Sequence, residues 1–264
     1  MSINSSNGIT NSFRSNSQIN QASERIASGR RINSAADDAA GLAISERMTA
    51  IERGINQGTQ NAQDMGNLLR TAEGGLSSIN DSLVRIRELS IQASNGTLTQ
   101  QDRGRIQAEV DQHLQNIQSA ASGTQFNTMQ LLDGSFADRN LASNPDGTGM
   151  QINIANTTLA TIGLEGFSVM DGNPDLAALD NAMNMINDSR SNIGATVNRI
   201  DNIVEYNTNA SLNLATANSR IADADIALEV MRLEQERIVQ QYQLFSAREQ
   251  MDRDRREGAG FIGI

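Results

Sequence analysis

Few residues in this chain could carry covalent or metal chemistry. Cysteine is absent, so a thiolate metal site, a thiol nucleophile and a disulfide framework are all excluded. The one histidine, His113, cannot form a multi-histidine metal site, and beside Leu114 it reads as an ordinary helix histidine. Gly258-Ala-Gly260-Phe-Ile-Gly263 spells G-x-G-x-x-G, but a dinucleotide site needs a strand before that motif and a helix after it. Asp171-Gly-Asn173-Pro-Asp175 opens like a calcium-binding loop. Its sixth position is Leu176 where glycine is needed, and its twelfth is Ala182 where a bidentate glutamate is needed, so Asp175 reads better as a helix N-cap. Asp37-Asp38 and Asp223/Asp225 lie among alanines with no second type of titratable partner. They read as helix-start charges or inter-helix contacts. The expectation is a protein with no catalytic, cofactor-binding or metal residues: not an enzyme.

The elements that carry these residues are long helices. From Ile44, apolar positions recur in alternating steps of four and three: Met48, Ile51, Ile55, Gly58, Ala62, Met65, Leu69, Ala72, Leu76, Ile79, Leu83, Ile86. A repeat averaging 3.5 keeps one stripe against a partner helix, as in coiled coils and long bundles. Glycines at 54, 58, 66, 74 and 75 weaken this helix by roughly 1 kcal/mol each relative to alanine, so a partner surface must support it. A shorter stripe, Ile106, Val110, Leu114, Ile117 and Ala121, follows a turn at Asn95-Gly96 and Thr97-Leu98-Thr99, which predicts an antiparallel return. A second long pattern runs from Leu176 to Phe245, with polar seam positions at Asn207, Ser211, Asn218 and Asp225. Between the helical blocks, about 132–173, glycine is dense and both prolines fall in or at the edge of the segment. Gln151-Ile-Asn-Ile154 alternates and Leu159-Ala-Thr-Ile162 is β-compatible, so one or two hairpins are expected there. The predicted fold class is mainly α: long paired helices in a coiled-coil-like rod, with a small β-hairpin region in the middle of the chain.

Composition narrows the function classes. The 264 residues carry 21 basic and 31 acidic side chains, a net charge of −10, and every basic residue is arginine. An acidic chain lacks the basic face that phosphate neutralisation requires, so nucleic acid is not an expected partner. The longest apolar runs are too short to span a bilayer, and Met1 to Thr10 lacks the pattern of a cleaved signal peptide. With aromatics at 3% and no tryptophan, the composition suits a subunit covered by neighbours better than a compact enzyme.

Several blocks carry a family resemblance. Ser23-Glu-Arg-Ile-Ala-Ser-Gly-Arg-Arg-Ile-Asn-Ser-Ala-Ala-Asp-Asp-Ala-Ala-Gly-Leu-Ala-Ile44 closely resembles the N-terminal signature of bacterial flagellin. Leu83-Val-Arg-Ile-Arg-Glu-Leu-Ser-Ile-Gln92, Ile106-Gln-Ala-Glu109 and Gly123-Thr-Gln-Phe-Asn-Thr-Met-Gln-Leu-Leu-Asp-Gly134 resemble later flagellin blocks. Ile193-Gly-Ala-Thr-Val-Asn-Arg-Ile200 and Ser219-Arg-Ile-Ala-Asp-Ala-Asp-Ile226 complete the pattern. The resemblance implies a short flagellin without variable outer domains: a structural subunit that self-assembles into the flagellar filament used for motility. A hook–filament junction or other minor or capping component is the alternative. It further implies terminal D0-like coiled-coil segments at 1–35 and 230–264, and a D1-like helical rod at 36–229 carrying the β-hairpin insertion at about 132–173. Type III export without a cleaved signal peptide, an extracellular place in the bacterial flagellum, an export chaperone, and cap and junction proteins follow from the same likeness. So does a candidate contact with the host's flagellin-sensing Toll-like receptor. Matching positions for subunit packing and that contact are Arg85, Leu89, Gln92 and Glu109, the first three at i, i+4 and i+7 of one helix. The chain departs from the family at Gly29-Arg30-Arg31, and at residues 246–257, where four arginines and four acids replace a mildly apolar helix.

Overall fold

In the computed structural model the backbone is described from residue 2 to 261, and side chains at 14–253, 255 and 256. Among the described residues, five helices and two β-hairpins follow one another. They are α1 (Ser2–Ser28), α2 (Ala35–Ala93), α3 (Gln100–Gly123), β1 (Gln125–Phe126), β2 (Met129–Gln130), β3 (Arg139–Ala142), β4 (Gly149–Ile152), α4 (Leu176–Ala222) and α5 (Ile226–Phe261). The mainly helical fold class read from the sequence is the one observed. The chain divides into two compact units, Ile51–Leu212 and Met1–Ala50 with Asn213–Ile264.

The unit Ile51–Leu212 holds the main hydrophobic core. Along α2 the stripe Ala62, Leu69, Ala72, Leu76, Ile79, Leu83 and Ile86 is fully buried. It meets Val110, Ile117 and Ala121 of α3, Leu179, Ala182 and Ile186 of α4, and Leu131, Leu132 and Val169 of the intervening segment. Polar pairs along the edge of this core fix the register of α2 against α4. Arg87 Nε donates to Asp180 Oδ1 at 2.9 Å, Arg190 Nε to Glu73 Oε1 at 2.9 Å, and Ser211 Oγ to Asn56 Oδ1 at 2.9 Å. Each step up α2 is matched by a step down α4, the order an antiparallel pair requires. The predicted turn after α2 is present: Leu98 N–H donates to Asn95 O, and Thr99 caps α3 in a reciprocal capping box with Asp102. Asp175 caps α4, its carboxylate accepting from Ala178 N–H at 3.0 Å.

The middle segment differs in part from expectation. One hairpin, β3–β4, lies where predicted, pairing Arg139 with Ile152 and Ala142 with Gly149. The other, β1–β2, comes earlier, with Phe126 opposite Met129. Leu159–Ile162 is not a strand. Ile162 N–H donates to Thr158 O, Leu164 N–H to Leu159 O, and Gly163 takes a positive φ of 75°, so the run coils into turns that drop Ile162 and Leu164 into the core. Four local β-compatible residues have no neighbouring strand to pair with, and turn hydrogen bonds satisfy their backbone instead.

The second unit has a thinner core, built on Ala22, Ile32, Ala222 and Leu233. Its linkers pair as a short antiparallel bridge: Arg31 N–H donates to Ala222 O at 2.7 Å and Ala224 N–H to Gly29 O at 3.0 Å. Gly29 makes the reversal at φ 68°, a conformation that costs glycine little. The paired aspartates serve helix starts. Asp37 accepts from Asn33 N–H, Ser34 N–H and Ser34 Oγ, and these bonds, led by those from Ser34, hold its carboxyl below the ordinary range. At Asp38 the backbone leaves helical geometry (φ −164°, ψ 96°), and its side chain caps Gly41. Asp225 likewise accepts from Leu228 N–H at the start of α5.

Candidate interaction surface

Three of the four candidate contact residues meet solvent. Arg85 on α2 reaches α3, donating from Nε and Nη2 to Glu109 Oε1 at 3.0 and 2.7 Å, while Nη1 donates to Glu88 Oε2 at 2.9 Å. These bonds, first to Glu109 and then to Glu88, raise the arginine above its ordinary value, so it stays charged at every relevant pH. Gln92 is exposed about two turns beyond, and exposed Val84 and Ile91 add an apolar strip seven residues apart. Leu89 is the exception. Its side chain is 1% exposed and belongs to the core. The i, i+4 spacing carries it past Arg85 toward Ile86, onto the inner edge of the helix, so the surface comprises Arg85, Gln92 and Glu109 with Leu89 beneath.

A second feature was hidden in residues that look like weak points. Gly54 and Gly58, one turn apart on α2, form a notch that seats the β3–β4 loop. A Cβ at Gly58 would collide with the Ser143 carbonyl, and one at Gly54 with Pro145. Two asparagine amides clamp the same loop: Asn61 Nδ2 donates to Ala142 O at 2.9 Å and Asn207 Nδ2 to Ser143 O at 3.0 Å. Spacing of small residues at i, i+4 is the sequence signal for such a close approach, and the buried Asn207 is the polar seam residue that completes it.

The third feature is the open face of α5. Leu228, Met231, Ile238, Tyr242 and Phe245 share one side of the helix at coiled-coil spacing, and all are exposed, Tyr242 to 73% and Phe245 to 63%. The side turned to α1 is largely polar. Ser15 Oγ donates to Glu236, Gln240 Nε2 donates to Asn16 Oδ1, and Arg25 and Arg232 flank the buried Glu229 carboxylate at 3.7 and 2.9 Å. The Ser/Asn-rich α1 selects that polar side, which leaves the apolar stripe of α5 without a partner in the single chain.

The remaining chemistry-bearing residues have structural surroundings. His113 Nδ1 is buried without a hydrogen-bond partner. Of the G-x-G-x-x-G run, residues 258–261 continue α5, and 262–264 lie outside the described residues. Among the described residues no three histidine, aspartate or glutamate side chains cluster as metal ligands, and no helix is long and apolar enough to cross a membrane.

The bacterial flagellin N-terminal helical region matches residues 1–137, and the bacterial flagellin C-terminal helical region matches residues 176–252. The chain is 37% identical over 230 residues to a flagellin of Halalkalibacterium halodurans, covering 85% of each. It is 36% identical over 246 residues to a flagellar filament core protein of Treponema maltophilum, covering 86% of each. Its fold is similar to the crystal structure of Bacillus cereus flagellin at a TM-score of 0.50 and 28% identity, over 56% of this chain and 88% of that one.

Proposed function

The chain belongs to the bacterial flagellin family, and from that membership we infer how this subunit packs, leaves the cell and meets its partners. It is a structural subunit of the flagellar filament, not an enzyme, and it assembles with copies of itself into an extracellular flagellum. The observation that carries the assembly reading furthest is the unpartnered stripe of α5. Five large apolar side chains on one helix face are a poor surface for a free monomer and a good seam for a filament.

In this reading residues 1–35 and 230–264 are the inner D0-like segments, and 36–229 form the D1-like shell carrying the hairpin insertion at about 132–173. Two family regions that bracket 138–175, with only short hairpins and turns between α3 and α4, support a short form without outer domains. Export is by the type III route without a cleaved signal, assisted by a chaperone that covers the terminal stripe, with cap and junction proteins at the filament ends. Arg85, Gln92 and Glu109 contact a neighbouring subunit in the filament and the flagellin-sensing Toll-like receptor in the monomer, with Leu89 fixing the helix beneath them. The exposed ion pair between Arg85 and Glu109 supports that reading, since it presents both charges in a fixed geometry.

Negative-stain electron microscopy of the purified chain, with and without flagellin seeds under salting-out conditions, tests the assembly reading. Long tubular filaments are expected. Persistent monomers, or seeds that are capped and stop growing, would replace it with a junction role. For the receptor, Arg85→Asp should abolish signalling by the monomer, and undiminished signalling would remove Arg85 from the contact.

A further inference from the structure

We infer that Asn95-Gly96, in the turn between α2 and α3, is a self-modifying site that converts to aspartate and isoaspartate in the folded chain. Three features of the turn support the chemistry. Asn95, Gly96 and Thr97 are exposed, and the space around Gly96 is open, so nothing shields the amide from water or base. The Asn95 side-chain carbonyl accepts from Thr97 N–H at 3.1 Å and Thr97 Oγ1 at 3.0 Å. Those bonds fold the side chain over the Gly96 peptide and polarise its carbonyl carbon. The Gly96 N–H itself makes no hydrogen bond among the described residues, which leaves its nitrogen free to react.

The step balances without any added reagent but water. The Gly96 nitrogen, giving its proton to solvent base, attacks Asn95 Cγ. The Cγ–Nδ2 bond breaks, ammonia leaves, and a five-membered succinimide joins the side chain to the backbone. Water then opens the ring at either carbonyl, giving aspartate or, with the chain rerouted through Cβ, isoaspartate.

The second Asn-Gly pair, Asn7-Gly8, lies inside α1, where helical backbone geometry opposes ring closure, and the Asn-Pro and Asp-Gly pairs are each blocked in the same structure. Asn144 and Asn173 precede Pro145 and Pro174, whose nitrogens carry no proton to lose. The Gly147 and Gly172 N–H groups donate to Asn144 O and Val169 O at 3.1 and 3.2 Å. Hydroxyl bonds from Ser135 and Thr148 hold Asp133 and Asp146 below the ordinary carboxylate range, and an ionised carboxylate resists attack. Conversion at Asn95 adds a negative charge close to the Thr99–Asp102 cap, and the isoaspartyl form lengthens the backbone of the turn. An extracellular subunit thereby acquires a slow mark of age.

The full-length protein, incubated folded in mildly alkaline buffer and digested at arginine, tests this. The peptide Glu88–Arg103 contains Asn95 as its one asparagine, so a mass gain of NH2-to-OH exchange placed by fragmentation between Ser94 and Gly96, away from Gln92, Gln100 and Gln101, reports this site alone. Conversion should be at least about tenfold faster than at Asn144 or Asn173, with both products found, and Gly96→Ala should slow it by a similar factor. Equal rates in the native and Gly96→Ala chains, or conversion confined to chain unfolded in denaturant, would overturn the assignment.

Discussion

Glycines in one helix can be opposite in energetic role, and α2 carries both kinds. Gly58 is buried in the notch under Ser143, where a methyl group has no room. Gly58→Ala must push the β3–β4 loop outward and break the Asn61 and Asn207 clamps, so a loss of about 1–3 kcal/mol is expected. Gly74 sits exposed on the same helix with nothing near its missing side chain. There Gly74→Ala should stabilise by about 0.5–1 kcal/mol, because alanine loses less backbone entropy on folding. Thermal denaturation followed by helical circular dichroism measures both, and the two substitutions must move the midpoint in opposite directions. If both stabilise, the notch is not a close contact in solution. The same contrast shows what a sequence leaves unreadable at this scale. Helix propensity treats Gly54, Gly58 and Gly74 alike, and only the distant residues that fold back onto α2 distinguish them. Leu89 teaches the same lesson, since its spacing from Arg85 gives nearness along the helix but not the side of the core on which it falls.

At the scale of elements, more was legible. The heptad count locates α2 and its buried face from Ile55 to Ile86, because burial against α3 and α4 enforces the stripe. It fails toward the start, where Ile44 and Ile51 are exposed. A strict 3.5 repeat drifts about 20° per heptad from a straight helix, and over several heptads the counted stripe leaves the buried face. The hairpins were harder to place because two- and four-residue strands carry too little periodicity, and pairing partners decide them. The start of α3, by contrast, is written in Thr99 and Asp102. Thr99→Ala should cost about 1 kcal/mol at neutral pH through the lost cap. The cap also titrates. The Thr99 hydroxyl, then its backbone N–H, hold the Asp102 carboxyl below its ordinary value, so the folded chain binds fewer protons there than the unfolded one. Its contribution is present above the ordinary carboxylate range of about pH 4 and is lost as pH falls through the folded value. Asp102→Asn should therefore lower the melting midpoint at pH 7, with the gap to the parent chain shrinking in acid. A gap that stays constant with pH would show that the carboxylate's charge is not what the cap uses.

For the whole molecule, the decisive fact is how unevenly apolar residues are covered. The unit Ile51–Leu212 contains nearly all fully buried large side chains, whereas the unit formed by Met1–Ala50 and Asn213–Ile264 relies on a few, chiefly Ile32 and Leu233. Local opening should follow that division. Limited proteolysis of the monomer is expected to cut first within 213–264 and 1–50, leaving a fragment that contains 51–212, as mass spectrometry of the digest would show. Early cuts inside 62–121 would contradict it. The thinly covered unit is also the one with the open stripe of α5, and the two facts have one physical explanation. A helix that spent its apolar face within the monomer would stabilise that monomer but would leave less to gain on assembly. Phe245→Asp separates these roles. Because Phe245 is 63% exposed in the single chain, the substitution should shift monomer stability by no more than about 0.5 kcal/mol. In a filament the same aspartate would sit unpaired in an apolar seam, a cost of several kcal/mol repeated at every subunit. Sedimentation after seeding should therefore find the variant in the supernatant while its melting curve overlays that of the parent. Filaments at parental yield would mean that α5 faces water in the assembly and that its stripe serves a different contact.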